Sequence, residues 1–148
     1  MEGRYLYEEQ IERFGRLVVE DPQTAYRRYG MTLIHSVDPK LYYGQVQRFG
    51  WRPETYLDFY NLGVLRSNEG DHQGALGYYE MAAGKNDAGP AVFHNLAVTY
   101  GEIGERVKQK EALQRYLEIV EEKANRVGLS AAEKAELEEA RAKMAELG

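Results

Sequence analysis

Three histidines, His35, His72 and His94, are the side chains best suited to hold a metal or to move a proton near neutral pH. They lie far apart and lack the i, i+4 spacing that puts two imidazoles on one ion. They read as surface or groove histidines without metal. Cysteine is absent, which removes thiol catalysis, disulfide frameworks and cysteine-ligated zinc or iron–sulfur sites. Serine occurs only as Ser36, Ser67 and Ser130, and no nucleophile elbow, phosphate loop or dinucleotide fingerprint is present. Carboxylates cluster at Glu8-Glu9-Glu12 and at Glu133-Glu136-Glu138-Glu139, on polar helix faces where glutamate serves solubility and i, i+4 pairing. Catalysis by paired carboxylates would need two of them in a dry cleft with separated pKa values. The sequence therefore nominates no enzyme and requires no cofactor. Arg27-Arg28 is a sharper feature, because no acidic residue falls between Asp21 and Asp38. The pair could take a ligand carboxylate bidentately, or it could match Glu9 or Glu12 of a preceding helix in a solvated pairing of little energetic weight.

These residues must be carried by helices. All four prolines stand where helices would begin, since proline is tolerated in the first turn, where its missing N–H would go unpaired anyway. Asp21-Pro22 and Asp38-Pro39 place a capping carboxylate before the proline, and Pro53 and Pro90 follow glycine-containing breaks. Gly70-Asp71, Gly104-Glu105 and the segment ending in Ser130-x-x-Glu133 supply further stops and a capping box. Apolar spacing follows i, i+3, i+4 and shows no sustained alternation. About eight helices with very short connections result.

Composition fits this. The chain has 148 residues, 43% hydrophobic and 29% charged, with net charge −5, mean hydropathy −0.62 and a pI near 5.3. It should be a soluble folded domain able to bury a shared core. The acidic balance argues against nucleic acid, whose phosphates need a basic field. No apolar run approaches the ~20 residues of a membrane span, and the N-terminus lacks a signal-peptide layout. A cytoplasmic location is the expectation.

Three triplets repeat. Tyr26-Tyr29-Gly30, Phe59-Leu62-Gly63 and Phe93-Leu96-Ala97 share one spacing, and their small members are separated by 33 and then 34 residues, a helical-hairpin period. With the Gly70-Asp71 turn, Ala75-x-x-x-Tyr79-x-x-Ala82 and the later Ala112-x-x-x-Tyr116, the chain resembles the tetratricopeptide repeat (TPR) family. That resemblance implies an all-α fold, a right-handed superhelix of antiparallel helix hairpins. The array occupies residues 1–148 as one domain: an N-terminal helix 4–20, a divergent repeat 22–53, a repeat 54–89, a repeat 90–126 with a lengthened second helix, and a capping helix 130–147. Ile11, Phe14, Leu17 and Val18 should face inward at one end, and Leu137, Ala140, Met144 and Leu147 at the other. Trp51 either fills the junction between hairpins or meets a ligand.

In that family the first helices of successive hairpins line a concave surface that holds an extended peptide or a partner helix. Carried over, the groove residues are Arg27, Arg28 and Met31, then Tyr60, Asn61 and Val64, then His94, Asn95 and Val98. Asn61 and Asn95 share one register, and a side-chain amide there can satisfy the C=O and N–H of an extended ligand without reading its side chains. Equally, it could bond only to water or to a neighbouring helix. The pattern departs from the branch that clamps acidic chaperone tails, since only Arg27 and Asn61 fall in matching registers. The resemblance thus implies a non-enzymatic adaptor for a protein or peptide partner. The alternative is a self-associating export-type chaperone, a homodimer formed through the N-terminal helix, where Tyr5, Leu6 and Tyr7 add apolar surface.

Overall fold

The computed structural model describes residues 12–25, 27–28 and 47–148. The chain divides into two compact units, Met1–Glu54 and Thr55–Gly148. In the first, residues 12–20 and 22–25 are helical, and Phe14, Val18, Ala25 and Trp51 are buried while Leu17 is half-buried. Asp21 caps the turn that begins at Pro22, accepting from the Thr24 backbone N–H at 3.1 Å and from the Thr24 hydroxyl at 2.7 Å. Those bonds, led by the hydroxyl, hold the Asp21 carboxyl below its ordinary range. Gln23 accepts from the backbone N–H of Arg52 at 3.0 Å, joining two segments 29 residues apart. The expected helix starts at Asp38-Pro39, the residues Tyr5, Leu6, Tyr7 and Ile11, and the triplet member Tyr29-Gly30 all lie outside the described residues.

The second unit consists of five helices: α1 (Tyr56–Asn68), α2 (His72–Ala83), α3 (Pro90–Glu102), α4 (Arg106–Arg126) and α5 (Ala131–Leu147). No strand occurs among the described residues. Helix α1 starts three residues later than Pro53 suggests, because Thr55 and Asp58 close a capping box: Asp58 N–H donates to Thr55 Oγ1 at 3.2 Å and Thr55 N–H donates to Asp58 at 3.1 Å. Pro90 does open α3, directly after Gly89. Ser130 and Glu133 form the second capping box, at the start of α5.

Three-residue connections, 69–71 and 103–105, return the chain on itself twice. The first can be so short because Gly70 adopts φ +80°, a left-handed conformation costly for any residue with a Cβ. Helix α1 packs chiefly on α2, α3 on α4, and the pairs are joined by α2–α3 and α4–α5 contacts, so each helix lies on its neighbours in sequence. Helix α4 has 21 residues against 12 in α2, and its Tyr116, Leu117 and Val120 share one core with Val92 and Leu96 of α3 and with Leu137 and Ala140 of α5. Leu137 and Ala140 of α5 are buried there, with Met144 and Leu147 packed partly beneath them.

One contact sets the distance between α1 and α2. A Cβ placed on Gly63 would stand 2.4 Å from Cε1 of Tyr79, whose side chain is 2% exposed. The ring thus lies flat against bare backbone, an approach that no other residue permits without displacement. Gly63→Ala is therefore expected to destabilise the fold by about 1–3 kcal/mol. Gly77→Ala, at an α2 position where a Cβ meets nothing within 4 Å, should be neutral or stabilising by about 0.5–1 kcal/mol. Urea denaturation of the two variants checks both; equal midpoints would remove the role assigned to Gly63.

Candidate functional site

Six of the expected groove residues lie in the second unit, on α1 (Tyr60, Asn61, Val64) and α3 (His94, Asn95, Val98). The i, i+1, i+4 spacing puts each trio on adjacent positions of its helix. Their surroundings differ. Asn61 is 4% exposed, so its side chain presents little surface to a ligand. Asn95, in the same register 34 residues later, is half-buried. Its Nδ2 donates to the Tyr60 hydroxyl at 3.2 Å and reaches the Tyr79 hydroxyl at 3.5 Å. The rings of Tyr60 and Tyr79 have centroids 6.0 Å apart, so one amide ties two tyrosines from separate helices. Burial above all, and then the neighbouring phenol, push the Tyr79 hydroxyl up to about 12, partly offset by the bond from Asn95. It therefore stays a neutral donor at any physiological pH.

Clefts open on either side of Asn95. The first, about 230 Å³, is lined by Val64, Ser67, Asn68, Tyr79, Asn95, Val98 and Thr99. The second, about 400 Å³, lies between α3 and α5 and is lined by Pro90, Ala91, His94, Asn95, Tyr116, Val120, Glu133, Glu136 and Glu139. A third, about 450 Å³, adjoins it and shares His94 and Glu139, with Val98 and Lys143 also on its wall. Val98 is 47% exposed, an apolar side chain left on this surface. The His94 and Tyr116 rings meet at a tilt of 57° with centroids 5.6 Å apart. Among the described residues, no group of three or more histidines and carboxylates converges as metal ligands.

Arg27 and Arg28 belong to the first unit and are exposed. Arg27 pairs with Glu54 at 3.5 Å, a partner 27 residues away that the sequence pattern does not single out; both side chains are more than half exposed, so the pair contributes little. Met31 lies outside the described residues.

Sequence reasoning set the glutamates of α5 on a solvated polar face and gave them no place in a site. Glu133, Glu136 and Glu139 recur every three residues and line the cleft facing α3, whereas Glu138 points away and pairs with Arg141 at 2.8 Å. The i, i+3, i+6 spacing marks a shared ridge beside Leu137 and Ala140. Periodicity could show that ridge, but the wall opposite it exists only in the packed chain. The Tyr116 phenol registers these charges: its pKa is raised, first by burial and then by Glu136, Glu133 and Glu139.

A stretch of the chain resembles an assembly protein. Over 51 residues it is 33% identical to the photosystem I assembly protein Ycf3 of Rippkaea orientalis (strain PCC 8801 / RF-1), a match covering 34% of this chain and 30% of that protein. The chain thus spans less than a third of its relative's length. No family model matches the chain, and no solved structure does. Among the described residues no helix is long and apolar enough to cross a membrane.

Glu133 offers a direct test of this wall's electrostatics. Hydrogen bonds from Lys123 first, and then from the backbone and hydroxyl of Ser130, hold its carboxyl down to about 2, against an ordinary 4.5. A depressed folded-state pKa gives stability that is present above the unfolded value and lost as pH falls through the folded one. NMR titration of the Glu133 side-chain carboxyl should place its midpoint near 2, and Lys123→Ala should raise it toward the ordinary value. An unchanged midpoint would show that Lys123 does not hold it.

Proposed function

We propose that the chain is a non-enzymatic adaptor that binds a peptide or helix of a partner protein along a TPR-like groove formed by α1 and α3. In this reading the hairpins form a right-handed superhelix, and Arg27, Arg28 and Met31 belong to a divergent repeat of the array. The observation that carries the reading is the placement of Asn95. Its side-chain nitrogen is anchored by Tyr60 and Tyr79, clefts flank it on both sides, and its side-chain Oδ1 accepts no bond among the described residues, the Thr99 hydroxyl donating instead to its backbone carbonyl at 2.7 Å. A pre-oriented acceptor of this kind can take a backbone N–H from an extended ligand at low entropic cost.

Three further features support the reading. The short likeness to a photosystem I assembly protein favours a partner that is itself a protein. Val64, Val98 and the Tyr60 ring offer apolar contact beside the polar acceptor. A net charge of −5 disfavours nucleic acid, and the same composition suits work in the cytoplasm. Asn61 would contribute by shifting outward when a ligand is bound, or by supporting α1 from within.

Capture of the native partner from lysate, quantified for wild type, Asn95→Ala and the Asn61/Asn95 double alanine variant, tests this. At roughly 0.5–1.5 kcal/mol per net hydrogen bond, Asn95→Ala should bind about two- to thirteenfold more weakly and the double variant at least as weakly, with helicity preserved by circular dichroism. Affinity unchanged in both variants would remove the groove from the α1–α3 face.

A further inference from the structure

The cleft between α3 and α5 holds chemistry that an amide-lined peptide groove does not need. Tyr116, at 4% exposure, lines this cleft, and its hydroxyl makes no hydrogen bond among the described residues. The ring is buried and its hydroxyl oxygen opens onto the cleft, so it can take a donor from a bound group. Two acidic side chains share the same wall. Helix α5 otherwise matches its acids with bases: Glu133 with Lys123, Glu138 with Arg141, Glu146 with Lys143. Glu136 and Glu139 have no such partner among the described residues, yet both face the cleft. Lys143 lines the adjoining cleft beside Glu139, but its amine lies 3.7 Å from Glu146.

We propose that this cleft takes the lysine or arginine side chain of a partner's segment, with Glu136, Glu139 and the Tyr116 hydroxyl as its acceptors. A cation satisfies all three at once: the carboxylates gain a counter-charge in a partly enclosed space, where Coulomb energies exceed those in bulk water, and the phenol oxygen gains a donor. The tilted pair of Tyr116 and His94 rings lines the same cleft and offers apolar surface to the aliphatic stem of such a side chain. The cleft, about 400 Å³, is ample for one long side chain. The charges of three carboxylates reach the phenol, whose raised pKa records their field after that of burial. Because no metal-ligand cluster forms among the described residues, an organic cation fits better than a metal ion. The inference rests on the adaptor reading only for the partner being a protein.

The test uses the full chain and a fluorescein-labelled peptide, Gly-Lys-Ser-Lys-Gly, followed by anisotropy at low salt. The same peptide with glutamine for lysine should bind at least about tenfold more weakly, and so should the lysine peptide to the E136Q/E139Q variant. Tyr116→Phe, which keeps the packing ring, should weaken binding about threefold to tenfold. E118Q/E122Q, which removes the same charge from exposed pairs on α4 with Arg115 and Arg126, should change it less than about twofold. Equal loss in that control would show a diffuse field and overturn the proposal. Equal binding of both peptides would also overturn it, as would full displacement by spermidine at the peptide's own concentration, which would assign the cleft to free polyamines. Capture of the native partner in Asn95→Ala keeps the two readings apart. If that capture is lost while the lysine peptide ignores E136Q/E139Q, the cation site fails and the groove stands; the reverse pattern sinks the groove and leaves the cation site.

Discussion

The contact of the Tyr79 ring with the bare backbone of Gly63 governs the second unit. It fixes how closely α1 and α2 approach, and the same ring carries its hydroxyl to Asn95 on α3. Packing and polar chemistry are therefore one device. Moving the ring by a few tenths of an ångström to admit a methyl group would also move the hydroxyl that orients the Asn95 amide. Close-packed interiors transmit such shifts rather than absorbing them. The tyrosine is suited to this because its body is apolar and its tip polar, so it can be buried at one end of a helix pair and still make a directed bond at the edge.

A second theme is the uneven treatment of charge. Residues 53–89 carry Arg66 and Lys85 against six acidic side chains, while residues 1–52 are nearly balanced. Several exposed acids are answered locally by i, i+3 or i, i+4 bases, and such pairs contribute little individually. At the α3–α5 wall Glu136 and Glu139 lack this local answer and sit in one cleft with the Tyr116 phenol. Long-range contacts of the same kind organise the helices elsewhere: His72 Nδ1 lies 3.0 Å from Glu102, and the Tyr100 hydroxyl donates to Glu80 at 2.7 Å, linking α2 to α3. Burial and that carboxylate both raise the Tyr100 pKa, so the donor keeps its proton.

Much of the helical organisation was legible because its signals are local. Pro22 and Pro90, the Ser130-x-x-Glu133 box and the inward positions of Leu137 and Ala140 could be read from spacing alone, since a cap or an amphipathic stripe involves residues within one or two turns. The start of α1 was misjudged at Pro53 because the Thr55–Asp58 box, also local, competes with proline as a start signal and here prevails. The superhelical arrangement of the repeats is not a local property, and it remains part of the proposed reading. The site was legible by register but not by environment: Asn61 and Asn95 occupy equivalent positions, yet one is buried and the other is held at the mouth of two clefts.

The sequence by itself determined that these residues form helices, where most of them begin and which stripe each buries, because 3.6-residue periodicity and capping depend on near neighbours in the chain. It also supplied the 34-residue recurrence that places a small residue, Gly63 or Ala97, on corresponding faces. Only the tertiary structure decided that Tyr60, Tyr79 and Asn95 meet, that Arg27 pairs with Glu54, and that Glu136 and Glu139 line one cleft with Tyr116. Each of these joins residues from different helices or distant turns. Their distances follow from how side chains fill the space between helices, a quantity that no single stretch of sequence contains.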